Sequence, residues 1–248
     1  MPKFFINKNQ INGDIIEIMG DDAHHISRSL RMAAGERITV SDNDAYEYEC
    51  VLETFGQGFV HARIVDKHPM ATEPEIKMHL YQALPKGEKL DFIIQKSVEC
   101  GVFDVIPFES ERCVVKIKGE SEDRKTDRRN KIALEAAKQC GRGIIPKVKP
   151  TLSFKGMIDD ALRSDVVLFC YEGHGTIPMG QALASLRKNK DINDISIIIG
   201  SEGGFSHAEA EQLEREGATM IGLGKRILRA ETAAIFALTC LVYEFELS

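Results

Sequence analysis

The residues best equipped for chemistry cluster near the carboxyl end of the chain. The run Gly200, Ser201, Glu202, Gly203, Gly204, Phe205 sets one carboxylate among three glycines, which let a backbone approach a ligand closely or take positive φ angles. Glu202 in that place could orient a polar ligand or accept a proton. Ser206 and Glu209 follow at capping-box spacing, which predicts a helix that starts just beyond the loop and fixes its far end. A second run, Gly224, Lys225, Arg226, Ile227, Leu228, Arg229, leads into an apolar stretch. There Glu231 and Thr232 suit the first turn of a helix. Arg226 and Arg229 do not suit it: two guanidiniums beside the positive end of a helix are unfavourable unless they meet an anion, so the run points to an anionic ligand. Neither run is a common nucleotide cradle, since the chain lacks GxxxxGK[ST] and has no GxGxxG between a first strand and its helix.

Loops of this kind bind ligands best at the carboxyl ends of parallel strands. The sequence supplies such strands at 165–171 (DVVLFCY), 195–199 (ISIII) and 218–223 (ATMIGL), continuous apolar runs of the kind that fill a sheet buried on both faces. Before them, 76–83 and 102–107 read as strands, and 89–100 reads as a helix with Leu90, Ile93, Ile94 and Val98 on one stripe. Residues 128–140 are also helical, with Ile132, Ala136 and Cys140 on one side. Residues 73–248 therefore form an α/β domain. Residues 1–72 alternate short extended runs (36–41, 46–52, 59–66) with turns, and 21–32 reads as a short helix capped by Asp21 or Asp22. This first part is a small, mainly β domain, and the prolines at 69 and 74 mark a linker. The last helix is apolar around most of its circumference, which requires burial on several sides; a subunit interface would supply it.

Composition sets bounds on all this. The 248 residues carry 32 Lys plus Arg against 38 Asp plus Glu, a net −6, with 43% hydrophobic residues, a profile that excludes a disordered chain, a collagen and a small disulfide scaffold. The start of the chain does not read as a signal peptide, and no apolar run reaches the length of a membrane helix, so a cytoplasmic protein is expected. Cysteines at 50, 100, 113, 140, 170 and 240 form no CxxC pair, so reduced, mostly buried thiols and no metal are expected. Against the acidic total, residues 112–149 hold 12 Lys plus Arg and 5 Asp plus Glu, a local +7. A solvated helix face and an RNA-binding stretch account for it equally well.

Taken together, these residues spell a family. IIIGSEGGFSHAEAEQL followed by IGLGKRILRAETAAIFAL resembles the carboxyl-terminal signature of the SPOUT methyltransferases, and within them the ribosomal RNA small subunit methyltransferase E family, the 16S rRNA uridine-N3 methyltransferases. The blocks from Gln95 to Val102, Ser110 to Arg112 and Glu135 to Arg142 resemble the family's other motifs. His24, His25, Ile26, Leu30, Arg31, Met32 and Gly35 resemble its PUA-like RNA-binding domain. The resemblance runs from about residue 20 to the end, with Ser201 where the family usually shows Pro and Cys100 where it usually shows Leu.

The resemblance implies a deep trefoil knot in roughly 165–248, a homodimer, and S-adenosylmethionine held by Tyr171, Glu172, Gly173, Gly200, Glu202, Gly203, Leu223, Gly224, Ile227 and Leu228. Methyl transfer from a sulfonium needs alignment and electrostatics rather than a metal. Uridine N3 becomes a good nucleophile only on losing its proton, which makes Arg229 the candidate for stabilising the base anion and Glu202 a candidate for polar positioning or proton transfer. Arg226 would hold phosphate, and Arg31, Lys96, Arg112 and Arg142 the RNA backbone of 16S rRNA or the assembled small subunit. Other readings remain: a SPOUT enzyme for ribose 2′-O or a tRNA base, or a non-catalytic RNA-binding assembly factor. A Rossmann-type methyltransferase is disfavoured, because its glycine motif belongs near the first strand.

Overall fold

A computed structural model describes residues 1–116, 121–189 and 191–248; Lys118 and Glu120 of the charged stretch lie outside them. The chain divides into two compact units, Met1–Glu73 with Ala137–Ile145, and Pro74–Ala136 with Pro146–Ser248.

The first unit is built on strands β1 (Lys3–Phe5), β2 (Ile11–Asn12), β3 (Ile15–Met19), β4 (Arg37–Ser41), β5 (Tyr46–Phe55) and β6 (Phe59–Pro69), in the sheet order β1-β4-β5-β6-β3-β2. Alternation drives it: Ile16 and Ile18 of β3 and Ile38 and Val40 of β4 point into one core with Phe4, Leu52 and Val60, while the intervening positions face outward. The helix expected at 21–32 is shorter. Helix α1 covers Gly20–His24 and passes into one wider π-type turn at His25–Ser29. Neither Asp21 nor Asp22 caps it, because the cap position is Met19; both carboxylates lie in the first turn, where the helix dipole favours them, and Asp22 pairs with Lys138 at 2.9 Å.

The segment 137–145 is fastened into this unit by buried polar contacts. Glu73 takes the Arg142 guanidinium at 2.5 Å and the Gly143 and Ile144 amides at 2.8 and 3.1 Å. Burial would push the Glu73 carboxyl up, but Arg142 and the two amides outweigh it and hold it below the usual carboxylate range. Lys3 adds an ion pair to Glu47 and a bond to the Gly141 carbonyl.

The second unit carries β7 (Lys77–Ala83), α2 (Lys89–Glu99), β8 (Asp104–Glu109), α3 (Ser121–Cys140, whose last turn belongs to the first unit), β9 (Lys147–Val148), β10 (Leu152–Ser153), α4 (Phe154–Ala161), β11 (Val166–Cys170), β12 (Ile177–Pro178), α5 (Met179–Leu186), β13 (Asp194–Ile199), α6 (His207–Arg215), β14 (Thr219–Gly222) and α7 (Ala230–Val242). Its sheet runs β10-β8-β7-β13-β11-β14-β12 with every pairing parallel, and β9 joins β8. Ile195, Ile197, Ile198, Phe169 and Ile221 are fully buried, as the unbroken apolar runs require. The thiols are less buried than expected: Cys50 and Cys113 are buried, whereas Cys140 is exposed, and no disulfide joins any of the six.

At the amino-terminal edge of this sheet His79 is wedged between two carboxylates, Nδ1 at 2.7 Å from Asp104 and Nε2 at 3.0 Å from Asp194, with Lys149 on the other oxygen of Asp104 at 3.0 Å. Burial by itself would lower the histidine pKa; the hydrogen bonds and charges of Asp104 and Asp194 outweigh it and raise it above the ordinary 6.5. The raised pKa sets the sign: the stabilisation is complete below the unfolded-state value and fades as pH rises through the folded one. His79→Gln should therefore cost on the order of 2 kcal/mol in mildly acid solution and progressively less towards alkaline pH. Urea unfolding of both proteins across pH checks this; a difference independent of pH would contradict it.

Candidate active site

Because β13, β11 and β14 are adjacent and parallel, the loops at their carboxyl ends emerge side by side. They enclose a cleft of about 550 Å³ lined by Tyr171, Glu172 and Gly173 after β11, by Gly200, Ser201, Glu202 and Gly204 after β13, and by residues 223–229 after β14. Nine of the ten residues singled out as cofactor ligands line it: Tyr171, Glu172, Gly173, Gly200, Glu202, Leu223, Gly224, Ile227 and Leu228. Gly203 does not. A methyl group there would lie 3.0 Å from Arg112 Cβ, so that glycine leaves room for the arginine. Sequence reasoning missed Lys89, Cys170, Thr176, Ala230 and Ala233, which also line the cleft. Lys89 stands 113 positions before Glu202, and no local pattern joins them.

The glycine loop has the build its sequence suggests. Ser206 and Glu209 form a complete capping box at the start of α6, and Glu209 also accepts the Glu111 amide at 2.8 Å. Within the loop the Gly204 amide donates to the Ser201 carbonyl at 2.9 Å, so the turn closes with serine at that position. Gly204 takes φ +62° and Gly224 φ +108°, conformations that side chains resist.

Glu202 is engaged. Its Oε1 accepts the Lys86 amide at 3.1 Å and the Lys89 ammonium at 2.7 Å. Partial burial would raise the carboxyl pKa, but Lys89 and the backbone amides more than offset it and lower it, so the group stays ionised through neutral pH and is a weak proton acceptor. Arg226 and Arg229 are exposed at the cleft and have no ion-pair or hydrogen-bond partner among the described residues. Arg229 is the residue immediately before α7, with extended backbone (φ −65°, ψ 154°) and no side-chain capping bond. Glu231 lies in the first turn, as its type suggests.

Part of the basic stretch is paired internally. Arg112 donates to the Gly203 carbonyl at 2.9 Å, Arg128 makes a two-pronged pair with Asp91, Arg129 meets Glu122 at 3.0 Å, and Lys149 meets Asp104. Arg142, expected on the RNA backbone, is buried against Glu73 and cannot reach a phosphate without abandoning that pair. Lys96 bonds Glu99 one turn along its own helix. Arg31 is exposed and holds φ +54°, one of two positive-φ residues in the described chain that are not glycine. Among the described residues no group of His, Cys, Asp and Glu could hold a metal ion, and no helix is long and apolar enough to cross a membrane.

Residues 72–242 match the model of an RNA methyltransferase domain, and residues 18–65 match an RNA methyltransferase PUA domain. The ribosomal RNA small subunit methyltransferase E of Bacillus subtilis is 35% identical over 100% of this chain and 98% of its own length. That of Mesomycoplasma hyopneumoniae is 34% identical over 96% of this chain and 98% of its own length. A crystal structure of the same enzyme from Neisseria gonorrhoeae, bound to S-adenosyl methionine, superposes with a TM-score of 0.85 at 27% identity, covering 98% of this chain and 97% of that one.

Proposed function

The chain belongs to the ribosomal RNA small subunit methyltransferase E family, and from that premise we propose that it transfers the methyl group of S-adenosylmethionine to N3 of a uridine in 16S rRNA. The observation that carries this reading is the convergence of three glycine-bearing strand-end loops on one cleft, with two unpaired arginines beside it. The cleft suits the cofactor. Its volume falls in the small-molecule range, and Gly200 and Gly222 leave main chain bare where a side chain would crowd in, a methyl group on Gly222 lying 2.9 Å from Thr176 Oγ1. Tyr171, Glu172, Gly173, Gly200, Leu223, Gly224, Ile227 and Leu228 are the residues we assign to it. Bound there, S-adenosylmethionine supplies an electrophilic methyl carbon on a sulfonium.

The remaining work falls to side chains. N3 loses its proton to water, and the negative charge left on the base is consumed as the N–C bond forms and the methyl carbon's bond to sulfur breaks. Arg229, unpaired and beside the cleft, stabilises that charge, and Arg226 neutralises a neighbouring phosphate. Glu202, held ionised by Lys89, anchors the loop. Because N3 lies on the Watson–Crick edge, the uridine must be unpaired or flipped out when it enters.

Arg31 holds the RNA from the first unit; its strained backbone conformation is a feature that functional positions tolerate. Arg31→Gln is expected to weaken rRNA binding and to reduce the salt slope of log affinity by about one, leaving cofactor affinity unchanged. Filter binding at several salt concentrations checks it.

Exposed Phe236 of α7 and Tyr243, the residue just past its end, support a homodimer formed through this part of the chain. We assign the knotted winding of roughly 165–248 on family membership. A ribosomal RNA substrate supports a cytoplasmic location. The direct test incubates the protein with S-adenosylmethionine and small ribosomal subunits lacking the modification, then identifies methylated nucleosides by mass spectrometry. 3-Methyluridine is expected; a different methylated nucleoside would discard the N3 assignment, and none would discard the activity.

A further inference from the structure

The cleft's glycine loop is gripped from outside at three of its five residues. The Gln82 amide, wholly buried at the end of β7, donates to the Gly200 carbonyl at 3.2 Å. The Lys89 ammonium, at the start of α2, meets the Glu202 carboxylate at 2.7 Å, and the Arg112 guanidinium, from the segment after β8, donates to the Gly203 carbonyl at 2.9 Å. These three donors come from three different elements, none of them contiguous with the loop. Two of the acceptors are main-chain carbonyls, so the bonds fix the orientation of the peptide groups themselves. A loop with three glycines loses much conformational entropy on ordering, and a ligand that had to order it would bind correspondingly less tightly.

We propose that Lys89, together with Gln82 and Arg112, is a positioning residue of this site, clamping the 200–204 loop in its ligand-ready shape before RNA arrives. The inference rests on the reading of the cleft as a methyl-donor site. It gives Lys89 a role that sequence reasoning did not assign, and it moves Arg112 from RNA contact to loop support. The geometry also separates the two ends of the loop by function. The capping box and Glu209 secure the exit into α6, whereas the clamp secures the span that faces the cleft.

The test uses full-length protein and S-adenosylmethionine alone, titrated calorimetrically in the absence of RNA. Lys89→Met is expected to weaken binding about five- to tenfold, the range for one charge-assisted contact that is partly open to solvent. Lys89→Arg, which preserves the charge, should restore affinity to within about twofold. Amide hydrogen exchange at residues 201–205 should rise in Lys89→Met while the exchange of β7 and β13 stays unchanged, a pattern that a general loss of stability would not give. Wild-type protein that binds the cofactor with Lys89→Met binding it equally well would overturn the clamp alone. Wild-type protein that binds no S-adenosylmethionine would overturn the reading of the cleft, and the clamp with it.

Discussion

Replacing Arg229 with alanine is expected to slow methyl transfer by about 10²- to 10³-fold, the usual loss when one donor to a developing anion is removed, while leaving cofactor affinity within about twofold of wild type. The separation of the two effects follows from where the side chain sits. Arg229 precedes α7 and its side chain caps nothing; it has no ion-pair partner among the described residues and lies exposed beside the cleft. Its removal orphans no buried group, so the fold should not register the change. Lysine at this position keeps the charge but loses the planar fork of donors, and intermediate activity is expected. Single-turnover methylation of rRNA alongside calorimetric cofactor binding checks both halves. Unchanged turnover would remove Arg229 from the mechanism, and a parallel collapse of cofactor binding would make it a cofactor contact instead.

The opposite pattern is expected at Gly200. A β-carbon there would lie 3.2 and 3.3 Å from the Gly204 backbone and 3.3 Å from the Phe205 ring. Alanine needs a shift of a few tenths of an ångström, and a few-fold loss of cofactor affinity should follow. Valine adds two more carbons against main chain that Gln82 and Arg112 hold in place, so the loop must leave its position. Affinity for S-adenosylmethionine is then expected to fall by at least 100-fold, about 2.7 kcal/mol, with the protein still folded because the strain is confined to the loop. Calorimetry with Gly200→Ala and Gly200→Val in parallel provides the measurement. Equal affinities for wild type and Gly200→Val would exclude this loop from the cofactor site.

Much of the site could be read from the sequence because its signals are local. Ser206 and Glu209 are three residues apart and bond reciprocally as their types require; the glycines of 200–204 and the arginines of 224–229 sit beside apolar strands whose type is unmistakable. The clamp could not be read in this way. Lys89 and Glu202 meet across 113 positions, and Gln82 and Gly200 across 118, distances at which only the sheet order decides contact. The charged stretch misled for a related reason. Counting residues along 112–149 gives a cationic run, but the fold brings Asp91, Glu73, Asp22 and Asp104 from outside it as counter-ions, so part of that charge is spent internally. The short helix at 20–24 differs from the longer one expected at 21–32 because apolar spacing does not register the wider turn that follows it.

The order of strands around the cleft also bears on how the protein is made. β13 lies between β7 and β11, and β7 pairs with it from Lys77 to Gln82 against Asp194 to Ile199. Translation delivers β7 well over a hundred residues before that partner, an interval of roughly six to twenty-three seconds at ordinary elongation rates. During that time one edge of a largely buried strand has no neighbour to pair with, the condition under which nascent chains associate wrongly. The loops around the cleft cannot assemble until nearly the whole chain has left the ribosome. The protein would thus complete its cleft only late in its own synthesis, before acting on ribosomal RNA.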